Sequence, residues 1–300
     1  MVHAGGNGGK HPGGHTLAGT GKRAPKLPQA LALGLLHGPA ELLPISSSAH
    51  TELIPWLAGW SYTRLDGRTR KTFEVALHVG AGLALSWHMR RELLAETVRL
   101  DRRRAALIAL SITPPALAGL AFERPIEQQL GGPRSIAAGL AAGAVAMALA
   151  DARAQRPRAV ARTREHADAR DGLAFGLAQT AALIPGVSRN GATLTAARAR
   201  GFRREDAQAL SWHAGLPVIL GAGALEGAHM LRGGLAREQR PALALGAAGA
   251  FVSTLAGARA LDRRGRAGRS LAPYAVYRMT LAGLVVARLR RSGTTIAHHL

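Results

Sequence analysis

The sequence predicts an all-α, polytopic integral membrane protein with about six transmembrane helices and two re-entrant helical hairpins in an inverted repeat. Three observations predict it. Apolar stretches of membrane-spanning length alternate with short arginine clusters, two shorter apolar stretches each run into Pro and a Ser-bearing loop, and one offset of 141 to 142 residues relates the two halves. The bulk composition first points elsewhere, because 39 Lys plus Arg against 18 Asp plus Glu give a formal charge of +21 over 300 residues. On a soluble chain that charge suggests a nucleic-acid binder. The chain is 47% hydrophobic and only 4% aromatic, too apolar for such a protein and too poor in stacking platforms, so no nucleic-acid partner is expected. With no cysteine, disulfide scaffolds, thiolate zinc sites and thiol nucleophiles are excluded.

Residues 1–27 are Gly, His and Lys with little to bury, and read as a disordered tail rather than a secretory leader. A single membrane domain is expected over 28–290, with a short C-terminal tail at 291–300. The spans are 73–89, 105–122, 135–150, 210–231, 241–261 and 273–289. The stretches 31–45 and 173–187 are only three or four turns long and reach about halfway through a ~30 Å hydrocarbon core. They read as re-entrant helices, which a membrane accepts only where the broken backbone is buried in protein or lines a wet cavity. Six arginines in 90–104 and six in 153–170, against two in 123–134, place the first and third of these connections in the cytoplasm and the second outside. Five arginines in 259–269 put that loop inside as well, although Arg232, Arg237 and Arg240 fall in a loop assigned to the outside. The charge is thus mostly a topology signal that also meets anionic lipid headgroups.

Gly34 and Gly176, Ser46 and Ser188, and Thr51 and Thr193 each stand 142 residues apart, and Pro44 and Pro185 stand 141 apart. The shared offset defines repeat units of about 28–152 and 171–290. Each unit holds one hairpin and three spans. Three is odd, so the second unit starts on the opposite face and the two tips meet near the midplane, where substrate sites concentrate.

The first tip, His37 to His50, sets Glu41 in an apolar helix ahead of Ser46, Ser47, Ser48 and His50. The second, Pro185 to Thr193, sets Arg189 among Gly186, Ser188, Gly191 and Thr193. A guanidinium with small hydroxyls and glycine-freed amides suits phosphate oxygens. Together the tips offer an acid/base or metal ligand in Glu41, a nucleophile or proton donor in Ser47 or His50, and an anion clamp in Arg189. That set fits phosphoryl transfer. Among the other ionisable groups, Glu74 sits at the interface or lines the cavity, Glu226 lies near the surface, and His78 and His88 are expected to pack or sit at the interface. Trp56, Trp60 and Trp87 read as interfacial anchors.

The run Gly34 to His50 resembles E-G-x-T-E-F-L-P-[IV]-S-S-T-G-H, and Pro185 to Thr193 resembles P-G-x-S-R-S-G-A-T, of the undecaprenyl-diphosphate phosphatases, also called the bacitracin-resistance family. Lys71 to Val75, Leu216 to Gly221 and Tyr277-Arg278 resemble it too, and the likeness covers about 28–290. It implies a bacterial plasma-membrane enzyme that hydrolyses undecaprenyl diphosphate, a polyprenyl diphosphate lipid, and recycles the carrier of cell-wall (peptidoglycan) synthesis, with bacitracin resistance. It also implies a divalent cation, Mg, Ca or Mn; a homodimer is compatible with it. Carried over by position, the family's second glutamate falls on Glu41, its serines on Ser46 and Ser47, its histidine on His50, and its second-motif serine, arginine and threonine on Ser188, Arg189 and Thr193. Ser46, Ser188 and Thr193 are read as substrate-binding.

Three departures stand out: His37 replaces the family's first glutamate, Ser48-Ala49 replaces Thr-Gly, and Asn190 replaces Ser. An imidazole at His37 can ligate a metal but brings no negative charge, so a hard-ion site weakens or a softer ion such as manganese is favoured. In the resulting reading Arg189, Ser188 and Thr193 hold the terminal phosphate, and Ser47 or His50 attacks or activates water. Glu41 is the proton acceptor or metal ligand. A lipid-phosphate flippase or anion carrier of the same architecture is the competing reading.

Overall fold

Pro28, in the first turn of helix α1 (Leu27–Leu42), lacks an N–H at a position where none is needed. The helix stops at Leu42 because Pro44 holds Leu43 in extended backbone, φ −95° and ψ 155°. The chain turns back into helix at α2 (Ser47–Leu57) through Ser46, whose φ is 74°. Then follow α3 (Gly67–Val98), α4 (Arg102–Leu130) and α5 (Pro133–Arg153). A capping box between Asp168 and Asp171 opens α6 (Ala169–Ala181), satisfying N–H groups that no intrahelical carbonyl can reach. A turn through Pro185 and Gly186 leads to Ser188, φ 68°, and into α7 (Arg189–Ala199). Helices α8 (Arg204–Gly233), α9 (Arg240–Arg263) and α10 (Ala272–Ala297) complete the order. This computed structural model describes residues 24–98, 101–155, 161–263 and 270–297, so residues 1–23 of the expected tail lie outside it. No strand occurs among the described residues, only an isolated bridge between Arg162 and Phe202.

Every predicted span is helical, and the two helix-break-helix units fall at the two short apolar stretches. The helices run past their apolar stretches: α3 continues to Val98, α4 covers 102–130, and α10 continues to Ala297, so most of the expected tail at 291–300 is helix. Arginine is a good helix former, and where no glycine or proline intervenes the hydrogen-bond ladder continues into the charged flank.

Close backbone approach sets the packing. Helix α1 lies along α9, with Gly34 against the backbone of Gly246 and Gly38 against Ser253 and Thr254, and a Cβ at either glycine would collide. Helix α6 lies along α4 in the same manner, Gly172 on Leu107 and Gly176 on Leu110. Pro114 and Pro115 inside α4 have no N–H for the carbonyls of Leu110 and Ser111. Buried Gln179 of α6 compensates one of them, donating from Nε2 to the Ser111 carbonyl at 2.9 Å. Helix α5 packs on α10, and α3 on α8 and α9.

The segments Arg102–Phe122, Pro133–Arg153 and Arg237–Arg263 are long and apolar enough to cross a membrane. Outward-facing Leu117, Leu120, Phe122, Val252, Val276 and Leu284 are exposed, whereas His37, Glu41, His50, Thr193 and Arg278 are buried. Large apolar side chains outside and polar ones inside is the partition of a protein whose solvent is lipid.

Candidate active site

The two helix breaks meet. Glu41, in the last turn of α1, accepts a hydrogen bond at Oε2 from Ser47 Oγ at 2.6 Å and one at Oε1 from Arg189 Nη2, also at 2.6 Å. One carboxylate therefore joins the hydroxyl of the first break to the guanidinium of the second. Glu41 is 8% exposed and Arg189 16%, so the pair is largely out of contact with solvent and survives because each charge compensates the other. Arg189 Nη1 is buried without a partner, against Gly215 of α8, where a Cβ would take the guanidinium's place. The Arg189 guanidinium therefore has Nη2 paired and Nη1 buried without a hydrogen-bond partner.

The remaining sequence-predicted residues, apart from His37, all stand in the hydrogen-bond network around the two breaks. His50 is fully used: Nδ1 donates to the Ser46 carbonyl at 2.6 Å, which leaves Nε2 to accept from Tyr277 Oη at 2.6 Å. Ser46 and Ser188 are the N-caps of α2 and α7, accepting from the N–H of Ala49 at 3.4 Å and of Gly191 at 3.1 Å. Thr193 is buried and donates to Ser211 Oγ in a short hydrogen bond, with its Oγ1 2.9 Å from the Arg189 carbonyl, so its hydroxyl braces α7 against α8.

His37 lies on the same face as Glu41, its Nε2 3.9 Å from Glu41 Oε2. The donor set fits a divalent cation. His37, Glu41 and His78 each offer a ligand atom, all within 4.8 Å of one another, and both ring nitrogens of fully buried His37 lack a hydrogen-bond partner.

Residues 30–284 match the family model described as bacitracin resistance protein BacA. The chain belongs to the BacA family. It is 38% identical over 272 residues to an undecaprenyl-diphosphatase of Geobacter sulfurreducens, covering 87% of this chain and 97% of that relative. An undecaprenyl-diphosphatase of Pelobacter propionicus is 38% identical over 271 residues, 86% of this chain and 95% of the relative. One of Rubrobacter xylanophilus is 34% identical over 278 residues, 88% and 98% of the two chains.

Several residues of this BacA-family site escaped the sequence reading. His78 was expected to pack or sit at the interface; instead its Nε2 lies 3.6 Å from Glu41 Oε2 and its ring meets His37 edge to face at 4.5 Å. Asn190 donates from Nδ2 to the Leu42 carbonyl at 2.6 Å and accepts from Ser211, tying the second break to the end of α1. Arg278 is fully buried and donates to the carbonyls of Pro44 in the first break, Gly186 and Val187 in the second, and Gly139 and Leu140 of α5. Gly143 and Gly191 leave the space its guanidinium fills. Tyr277 and Arg278 did carry one signal, since they stand in a motif of the resembled family, but nothing in the spacing says that α10 reaches both breaks.

Proposed function

We propose that this protein is a multi-pass plasma-membrane hydrolase that converts undecaprenyl diphosphate to undecaprenyl phosphate and inorganic phosphate between its two helix breaks. In this reading the helix-break-helix units are re-entrant, about six further helices span, and units of about 28–152 and 171–290 form an inverted repeat. The exchange of partners supports it: α1 packs on α9 of the other unit, and α6 packs on α4. The names carried by the relatives favour hydrolysis over the carrier reading.

One observation carries the chemistry: the chain Ser47 Oγ to Glu41 to Arg189. Ser47 already points its proton at a carboxylate, whereas both nitrogens of His50 are engaged. Ser47 is therefore the nucleophile. Its Oγ attacks the terminal phosphorus, Glu41 Oε2 takes the proton, and the bond to the bridging oxygen breaks to release undecaprenyl phosphate. Water then attacks the phosphoserine phosphorus, the bond to Ser47 Oγ breaks, Glu41 returns its proton to that oxygen, and inorganic phosphate leaves with the protons of the water. Arg189 meets the developing charge with Nη1, and Ser188, whose oxygen only accepts within the helix cap, has its O–H to donate to the phosphate. A divalent cation would be held by Glu41 and His37 and would supply positive charge to the site.

Phosphate release from the lipid diphosphate by the purified protein in detergent is the test. Arg189→Ala should lose at least about 100-fold in turnover, and Glu41→Gln about 100- to 10,000-fold. Ser47→Ala should abolish the burst of phosphorylated enzyme. Near-normal release from the Arg189 variant would sink the assignment.

A further inference from the structure

The two histidines beside Glu41 change what kind of ion this pocket prefers. Of the four ring nitrogens of His37 and His78, one is hydrogen-bonded: His78 Nδ1, with the Glu74 carbonyl as acceptor at 2.9 Å. A carbonyl can only accept, so Nδ1 carries a proton and Nε2 is the nitrogen whose lone pair a metal ion would take. That lone pair lies 3.6 Å from Glu41 Oε2, in the arrangement in which a ligating histidine is fixed by its other nitrogen. His37, with no exposure and no partner at either nitrogen, puts Nε2 on the same carboxylate oxygen at 3.9 Å. Arg189 occupies the other oxygen, Oε1, and the hydrogen bond from Ser47 uses one lone pair of Oε2 and leaves another.

We propose that His37, Glu41 and His78 form a two-histidine, one-carboxylate site for a borderline transition ion of the zinc class, with magnesium and calcium as weak competitors. Two neutral imidazoles and one carboxylate already partly neutralised by Arg189 supply too little anionic oxygen for a hard ion, whereas nitrogen donors suit zinc and cobalt. An ion about 2.0 to 2.2 Å from each ligand draws together three atoms that already lie within 4.8 Å of one another. The ion class rests on and deepens the hydrolase reading, with which it shares Glu41 and His37.

The test is a titration of the full chain in detergent, stripped with chelator, with cobalt(II) and followed by its visible absorption. The terminal histidines His3, His11, His15, His298 and His299 are changed to Ala in every sample. One equivalent of cobalt should give intense bands, displaced by zinc at parity but by magnesium only at more than about 100-fold excess. His37→Gln and His78→Gln should each weaken cobalt at least about tenfold. His37→Glu, which restores an oxygen ligand and so does not depend on tolerating an empty site, should shift the competition toward magnesium. Absent bands, bands indifferent to both histidine variants, or displacement by magnesium at parity would each overturn the proposal. Ser47→Ala should keep the bands and lose phosphate release. A wild type that releases phosphate without binding cobalt removes the ion assignment alone; one that binds cobalt without releasing phosphate removes the hydrolase reading alone.

Discussion

The two helix breaks share a backbone and divide the proposed chemistry. Each turns on a serine at positive φ, Ser46 at 74° and Ser188 at 68°, and each serine caps the helix that follows by accepting from the residue three positions on. The first break carries Glu41, Ser47 and His50, and the second carries Arg189. They also differ in how they are anchored. Beyond the second break, Asp151 accepts from Arg198 at 2.8 Å, from Arg204 and from the N–H of Leu271, while fully buried Asp171 accepts from Arg162 and Arg200. Beyond the first break, the ion pair at the base of α2 is Glu52 with Arg70, both about a quarter exposed or more. Arg189, the proposed anion clamp, thus rides on a buried ionic scaffold, and Ser47, the proposed nucleophile, on a looser one.

That difference is largest in stability. Asp151→Asn leaves buried Arg198 and its neighbour Arg204 short of a counter-charge and should cost about 3 to 5 kcal/mol. Glu52→Gln removes an exposed pair and should cost under about 1 kcal/mol. Thermal unfolding of the two variants in the same detergent measures both, and equal costs would end the claim that the second break is the rigid one.

Arg278 tests what the breaks share. Interrupted helices leave carbonyls that need donors, and this one guanidinium serves carbonyls of both breaks and of α5. Arg278→Lys keeps the charge but offers three donors on a different geometry, so it should destabilise by about 2 to 3 kcal/mol. It should also reduce phosphate release, although the hydrogen bonds of Arg278 go to backbone carbonyls and not to the side chains of Glu41 or Ser47. A variant that unfolds like wild type would show that the breaks hold each other without α10.

Local signals made the fold and both breaks legible. Apolar stretches and arginine clusters mark the helices, and the 142-residue offset of Ser46 and Ser188 picked out two residues that share an unusual backbone conformation. What the offset could not tell is that these serines cap helices, because a serine after a proline looks the same whether it caps or binds. Residues brought in from other elements left no trace in periodicity or spacing, although Tyr277 and Arg278 stand in a motif of the resembled family. His78 sits one helix away from Glu41 and Tyr277 reaches His50 across more than two hundred residues, and neither periodicity nor spacing encodes which face of a membrane helix looks inward when all faces are apolar.

Gly215 gives a smaller effect confined to one break. Its missing side chain is the room in which the Arg189 guanidinium lies, and the atom a methyl group would displace is the end of a flexible chain rather than backbone. Gly215→Ala should therefore unfold normally, within about 0.5 kcal/mol of wild type, yet lose about tenfold in phosphate release as the clamp is pushed off line. A loss of stability with activity per folded molecule unchanged would place the glycine in packing rather than in the clamp.

The smallest effect separates the two serines themselves. Glycine at positive φ relieves a steric cost of about 1 to 2 kcal/mol and forfeits only a few tenths of the cap, whereas alanine keeps the strain and loses the cap, about 1 kcal/mol. Ser46→Gly and Ser188→Gly should thus be neutral or slightly stabilising, Ser46→Ala and Ser188→Ala destabilising by about 1 kcal/mol, and the two breaks alike, since their geometry is alike. Substrate affinity should not be alike. Ser46 Oγ has Ser48 Oγ beside it at 3.4 Å, while the Ser188 O–H stands next to Arg189, in the break that carries the clamp. One hydrogen bond to phosphate is worth about 1 kcal/mol, so Ser188→Gly should raise KM about fivefold with kcat little changed, and Ser46→Gly should leave KM alone. Equal KM values for the two glycine variants would mean that both serines serve the backbone only, and that the phosphate rests on Arg189 without help from its cap.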